Sequence, residues 1–271
     1  MFGGKYTEGT SMQLTPNTSR PMELYVDLLK RSLTNTIFTD EPDANQDDTA
    51  RYVAAAITHY QKSPAVSMLP LARFDNLQFC ITDVIRNAVP GDFVETGVWR
   101  GGATIFMRAM LKVFDVTDRV IWAADSFEGL PEPDAEKFPL EAQAFKSAAM
   151  TKYYNHLAVG IDEVRRNFEA YGMLDDQVKF LKGWFKDTLP TAPIRSIAVL
   201  RLDGDYYEST RDALVNLYDK VSVGGYIIID DYGEESWTYC RKAVEEFRRE
   251  RQITDRVIKV DKPCVFWRKS K

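Results

Sequence analysis

The feature that most restricts how this chain can fold is an alternation, from residue 92 onward, of short apolar runs with helical stretches. Each of four such runs closes on acidic residues. Asp92-Phe93-Val94 leads into Glu95, and Val120 to Ala124 leads into Asp125. Ile197 to Leu202 leads into Asp203, and Tyr226-Ile227-Ile228-Ile229 leads into Asp230-Asp231. A strand that is apolar on both sides has no face for water and must be covered twice, which crossover helices between parallel strands accomplish. The pattern therefore predicts an α/β fold, Rossmann-like, with a mostly parallel seven-stranded sheet and helices on both faces. The strands are read at 92–95, 120–124, 178–181, 197–202, 226–229, 257–260 and 264–267. The last two lie close enough in the chain to pair antiparallel.

Before the sheet, residues 1 to about 21 are polar and rich in Gly, Thr and Ser, as a tail or lid would be. Leu24, Leu28, Leu29 and Leu33 then recur at helical spacing. Residues 40–48 read as an acidic loop, 49–62 as a helix, 63–71 as irregular, and 73–89 as a long helix stopped by Pro90-Gly91. The 271 residues suit one large α/β domain with appendages. The division expected is a lid and helical extension over 1–75 and a core over 76–271. The formal charge of −5 offers no basic face, so neither nucleic acid nor an anionic membrane is an expected partner. Three widely spaced cysteines form no C-x-x-C pair, and the first residues carry no apolar signal core; both fit a cytoplasmic protein. The oligomeric state stays open, a homodimer included.

Ligands of an open α/β sheet bind beyond the carboxyl ends of its strands, where this chain has an acidic rim. The first turn, Glu95-Thr96-Gly97-Val98-Trp99-Arg100-Gly101-Gly102, lacks G-x-G, and no G-x-G-x-x-G occurs anywhere. A nicotinamide-dependent oxidoreductase thereby loses its main signal, and no Y-x-x-x-K supplies its proton relay. Class I methyltransferases favour an acidic-x-Gly-x-Gly-x-Gly turn, which is met here at Glu95, Gly97 and Gly101 with Trp99 in the middle. Asp125, at the end of the second strand, is placed to accept the ribose hydroxyls of an adenosine ligand. Asp203, Asp205, Asp230 and Asp231 converge on one edge and repel each other unless a cation lies among them; oxygen donors at this density suit Mg²⁺, with Mn²⁺ as a substitute. A non-catalytic adenosine-ligand binder would have no need of that cluster. His59 and His156 read as surface or packing residues, with His156 as a candidate for the border of a substrate pocket. Trp184, Phe185, Tyr232 and Trp237 follow strands and are candidates for stacking on a planar ligand.

With these residues in view, the chain resembles the macrocin O-methyltransferase (TylF) family. GDFVETGVWRGGATIFMRAML, WAADSFEGLPEPD, GWFKDTLP, LRLDGDYYESTRDAL and GGYIIIDDYG carry the resemblance in order from about Pro90 to Gly233. The resemblance implies a class I fold that binds S-adenosyl-L-methionine and Mg²⁺. It implies metal ligation by Asp203, Asp230 and Asp231, with Asp205 as general base. It implies cofactor contacts from Glu95, Thr96, Gly97, Asp125, Ser126, Gly183 and Trp184, and from Met68 in a 63–69 segment that closes the site with the N-terminal tail. The implied acceptor is a deoxysugar hydroxyl of a glycosylated antibiotic. The 4-hydroxyl of noviose in an aminocoumarin such as novobiocin is expected first, and a macrolide-linked sugar is the alternative.

Overall fold

A computed structural model describes residues 20–38, 63–147, 151, 155–233 and 238–271. The N-terminal tail to residue 19, the 40–48 loop, the 49–62 helix, His59 and Trp237 lie outside the described residues. The helices used below are α1 (Arg20–Thr34), α2 (Leu71–Arg86), α3 (Gly102–Val113), α4 (Pro139–Phe145), α5 (Ile161–Ala170), α6 (Phe185–Thr188), α7 (Tyr207–Leu217) and α8 (Thr238–Glu250). The strands are β1 (Asp92–Thr96), β2 (Ile121–Asp125), β3 (Val178–Lys182), β4 (Ile197–Leu202), β5 (Val221–Ile229), β6 (Ile258–Lys259) and β7 (Val265–Arg268).

One seven-stranded sheet runs β3-β2-β1-β4-β5-β7-β6. The first five of these strands pair in parallel, while β7 runs antiparallel to both β5 and β6. Strand order reverses at β1, which is flanked by β2 and β4, so the carboxyl ends of β1 and β4 border the crevice where this topology binds ligands. Alternate residues of each central strand enter separate cores. Phe93, Val199, Tyr226 and Ile228 pack with α1, α2, α3 and α5. Val94, Leu200, Leu202, Ile227 and Ile229 pack with α7 and α8. This two-sided burial is what the uninterrupted apolar runs predicted. Among the described residues no helix is long and apolar enough to cross a membrane.

The structure differs from the expected pattern at α1 and at β5. In α1 the buried stripe is Val26, Leu29, Lys30 and Leu33, whereas Leu24 and Leu28 are 61% and 57% exposed. Lys30 takes the inward place of a leucine because its ammonium meets Asp75 at 2.5 Å and also donates to Gln78, both on α2. α2 runs through residue 75, with Phe74 and Leu77 both in the core. β5 starts at Val221 instead of Tyr226, because its pairing with β4 shifts register between Val221 and Tyr226. Gly224, at φ +89°, sits in that irregular stretch, so an early strand looked like a loop.

Gly97 is where fold and site meet. Its N–H donates to the Ala124 carbonyl at 2.9 Å, while Asp203 N–H donates to Thr96 O at 2.8 Å. Gly97 has φ +85°, and a Cβ there would lie 1.8 Å from the Asp203 carbonyl oxygen. Gly97→Ala therefore combines backbone strain with a clash against main chain. It is expected to destabilise the fold by more than about 2 kcal/mol, seen as a lower urea midpoint at unchanged slope.

Candidate active site

Beyond the carboxyl ends of β1, β2, β4 and β5 lies a cavity of about 450 Å³, of the size that small-molecule sites commonly have. Its walls come from residues 66–69, 97–99, 125–126, 129–132, 184–186, 203–205 and 230–231.

Under the acidic side of this cavity is Arg201, a charged residue inside a strand that is otherwise apolar and buried along its whole length. It is 2% exposed. The parallel register of β1 and β4 sets Arg201 directly opposite Glu95. Its Nη1 donates to Glu95 Oε1 at 2.6 Å and to Asp203 Oδ2 at 2.9 Å, and its Nη2 donates to Asp230 Oδ1 at 2.5 Å. Arg73, in the first turn of α2, donates to the other oxygen of Asp230 and, at 2.6 Å, to Asp261 Oδ2 between β6 and β7. Both oxygens of Asp230 are thus held by guanidinium groups.

Part of the positive charge that the crowded aspartates require comes from these two guanidinium groups, which the motifs do not reveal. A lone arginine between two leucines, two residues before Asp203, was the available signal. Arg73 left no signal of this kind, because only the packing of α2 on the sheet brings it to Asp230. Even so, two guanidinium groups cannot balance Glu95, Asp203, Asp205, Asp230, Asp231 and Asp261. Burial raises the Glu95 carboxyl to about 7 against the pull of Arg201. Burial and then Asp230 raise Asp203 to about 6. Asp205 and Asp231 are raised well above the usual carboxylate range by burial first and by their acidic neighbours next.

Asp203, Asp230 and Asp231 each place one carboxylate oxygen within 4.8 Å of the others. Asp231 Oδ2 is buried without a hydrogen-bond partner. An orphaned buried carboxylate oxygen among crowded like charges is costly as it stands. A divalent ion preferring hard oxygen donors fits this set chemically. Asp205 stands beside it in a left-handed backbone conformation, φ 59°.

On the other side, Asp125 is fixed by backbone donors. Val98 N–H reaches Oδ2 and Phe127 N–H reaches Oδ1, both at 2.7 Å. The Trp99 N–H is a further backbone donor to this carboxylate, and the Ser126 hydroxyl lies 3.4 Å from Oδ1; Asp125 itself lines the cavity. Ser126 also lines it, with its hydroxyl given to Gly129 O at 2.7 Å. Met68, Glu95, Gly97 and Trp184 reach the wall as well, and Glu95 Oε2 is buried with no partner. Two of the predicted cofactor residues are not on the wall. Thr96 is fully buried in the sheet, and Gly183 braces the β2 end by donating its N–H to Asp125 O at 2.9 Å.

Trp99 occupies the turn's middle position at φ 47°, a conformation in which glycine is the usual residue. Its indole N–H donates to His156 O at 3.1 Å, and the Arg100 guanidinium lies 4.5 Å from its ring. These contacts secure the side chain in an unfavourable backbone. His156 packs edge-on against Trp99, and its neighbour Leu157 is the residue that meets the cavity. Phe185 lines the cavity, whereas the Tyr232 hydroxyl is committed to Glu245 at 3.0 Å.

Arg201→Met strands Glu95, Asp203 and Asp230 without their shared counter-charge. Breaking a buried pair in this way costs about 3–5 kcal/mol. Glu95 binds its proton more tightly folded than unfolded, so its contribution to stability is present below its ordinary value of 4.5 and lost as pH rises through about 7. Removing Arg201 pushes this carboxyl higher still. Urea titrations of the variant and the parent should therefore differ most near pH 8 and converge towards pH 5.

A family model described as macrocin O-methyltransferase (TylF) matches residues 59–269. The 8-demethyl-8-(2,3-dimethoxy-α-L-rhamnosyl)-tetracenomycin-C 4′-O-methyltransferase of Streptomyces olivaceus is 47% identical over 257 residues, covering 93% of this chain and 94% of the relative. The demethyldecarbamoylnovobiocin O-methyltransferase of Streptomyces niveus is 44% identical over 264 residues, covering 96% and 98%. Among solved structures, the O-methyltransferase NovP superposes with a TM-score of 0.78 at 45% identity, over 92% of this chain and 100% of that one.

Proposed function

Because the chain belongs to the macrocin O-methyltransferase family, we propose that it methylates a deoxysugar hydroxyl of a glycosylated antibiotic with the help of a divalent ion held by Asp203, Asp230 and Asp231. It is an O-methyltransferase, and membership of that class implies S-adenosyl-L-methionine as the methyl donor. The observation that carries the metal-assisted reading is the orphaned, buried Asp231 oxygen within 4.8 Å of its partners' oxygens. Mg²⁺ is the ion proposed, with Mn²⁺ able to replace it.

The donor is already activated as a sulfonium, but a sugar hydroxyl is a poor nucleophile at neutral pH. When bound, the divalent ion supplies Lewis acidity that makes such a hydroxyl easier to deprotonate. Asp205 accepts that proton. Its carboxyl is raised by burial and by acidic neighbours, which makes it a stronger base once it is ionised. Asp125, fixed by its backbone donors on the cavity wall, accepts the ribose hydroxyls. Glu95, Gly97, Trp184 and Met68 line the donor's place, and Thr96 and Gly183 support it from beneath. Segments 66–69 and 129–132 narrow the cavity and keep water from the reacting oxygen.

For the acceptor, the 4-hydroxyl of noviose in an aminocoumarin such as novobiocin is the first choice, supported by 44% identity to the novobiocin-pathway relative. A different glycosylated product is the alternative, and it is favoured by 47% identity to a relative whose name specifies a rhamnosyl group.

Two measurements test the site. Excess EDTA should abolish methyl transfer to a desmethyl acceptor, followed by mass spectrometry as the gain of a single methyl, and Mg²⁺ or Mn²⁺ should restore it; full activity in chelator would sink the metal role. Asp205→Asn should lower turnover about 10²- to 10⁴-fold while calorimetric binding of S-adenosyl-L-methionine stays nearly unchanged. Parallel loss of both would instead mark Asp205 as structural.

A further inference from the structure

Glu141 is a buried acid that the mechanism does not use. It lies in α4, on the segment that runs from the cavity wall at 129–132 to residue 147, and is 8% exposed. Its Oε1 accepts the Tyr207 N–H at 3.1 Å. That N–H opens α7, where a helix leaves its first donors unpaired, and the N-cap residue Tyr206 does not cap the helix with its side chain. Burial raises the Glu141 carboxyl to about 7, and Glu208 nearby adds like charge. An uncharged local cap would satisfy the same donor at less cost.

A second tie runs alongside. Phe138, at the head of α4, stacks on Tyr207 with ring centroids 4.9 Å apart and meets Tyr239 of α8 edge-on at 5.8 Å. The Tyr207 hydroxyl donates to Glu246 of α8 at 2.6 Å. Tyr207 is therefore clamped at its amide, its ring and its hydroxyl. The 203–206 loop ends at this clamp, with Asp205 at φ 59°. A non-glycine residue holds such a conformation only where its surroundings fix it. The other end of the loop is fixed by Asp203 N–H on Thr96 O.

We propose that Glu141 is a positioning residue: by holding the first amide of α7, it locks the segment 129–147, whose 129–132 stretch walls the cavity, to the 203–206 loop, so that this wall and the acidic loop keep one relative placement. This rests on the reading that the reaction takes place between those two walls. It does not require Asp205 to be the base.

The test compares Glu141→Met, which keeps the volume but removes the acceptor, with Glu141→Gln, which keeps an acceptor and removes the charge. With Mg²⁺ present, Glu141→Met should lower kcat about ten- to hundredfold, as small misplacements of reacting groups do, and raise the acceptor KM. The S-adenosyl-L-methionine Kd should not move, and Glu141→Gln should recover most of the lost rate. Hydrogen exchange at the Tyr207 amide should quicken in the Met variant and not in the Gln variant. The proposal is overturned if Glu141→Met turns over like the parent, if the Gln variant is as slow as the Met variant, or if rate and cofactor affinity fall together. Full turnover by Asp205→Asn would overturn the base assignment alone, since the Met and Gln comparison and the Tyr207 amide report on the tie independently.

Discussion

The site depends on one buried guanidinium. Arg201 sits among Glu95, Asp203 and Asp230 with almost no exposure, and so draws the ends of three adjacent strands to a common point. Removing a guanidinium and three carboxylates from water costs several kcal/mol per ion, and only close, multiply bonded geometry repays it. That geometry exists because β1, β4 and β5 are neighbours in that order and because register puts Glu95 opposite Arg201. Arg73 repeats the device from outside the sheet, tying α2 and the turn before β7 to the same Asp230.

Charge then divides the cavity into two functional sides. The arginines face inward and satisfy the inner oxygens, but they leave Asp231 Oδ2 unpartnered and Asp203 and Asp205 raised by burial first and by acidic neighbours next. That uncompensated charge lies on the cavity side, where the divalent ion is proposed to bind. Across the cavity, Asp125 is fixed by the backbone N–H groups of Val98, Trp99 and Phe127, an environment suited to neutral hydroxyls. The two sides are held apart by the Gly97 turn, whose missing side chain lets the chain pass against the Asp203 carbonyl. Trp99 continues that turn in a conformation stabilised from outside by Arg100 and the His156 carbonyl.

The strands were legible because their physical signature is local. A run buried on both faces reads as apolar without interruption; six of the seven strands lie within one residue of where the pattern put them, and β5 ends where expected. The acidic residues at their ends were legible for the same reason. α1 was misjudged because Lys30 fills an inward position that looked closed to a charge until Asp75 and Gln78 on another helix are seen beside it. The first half of β5 escaped because its irregular pairing with β4 follows from a neighbouring strand.

By itself, the sequence determined the sheet, the glycine turn and the set of carboxylates, since each follows from spacing along the chain and from the burial that such spacing demands. The tertiary structure alone decided which carboxylates are neutralised from within and which are left open to the cavity. It also decided that Thr96 and Gly183 support the cavity without lining it, and that Glu141 reaches Tyr207. Those outcomes depend on strand register and on contacts between residues up to 188 positions apart, as for Arg73 and Asp261. Electrostatics acts through distance in space, and no local pattern encodes that distance.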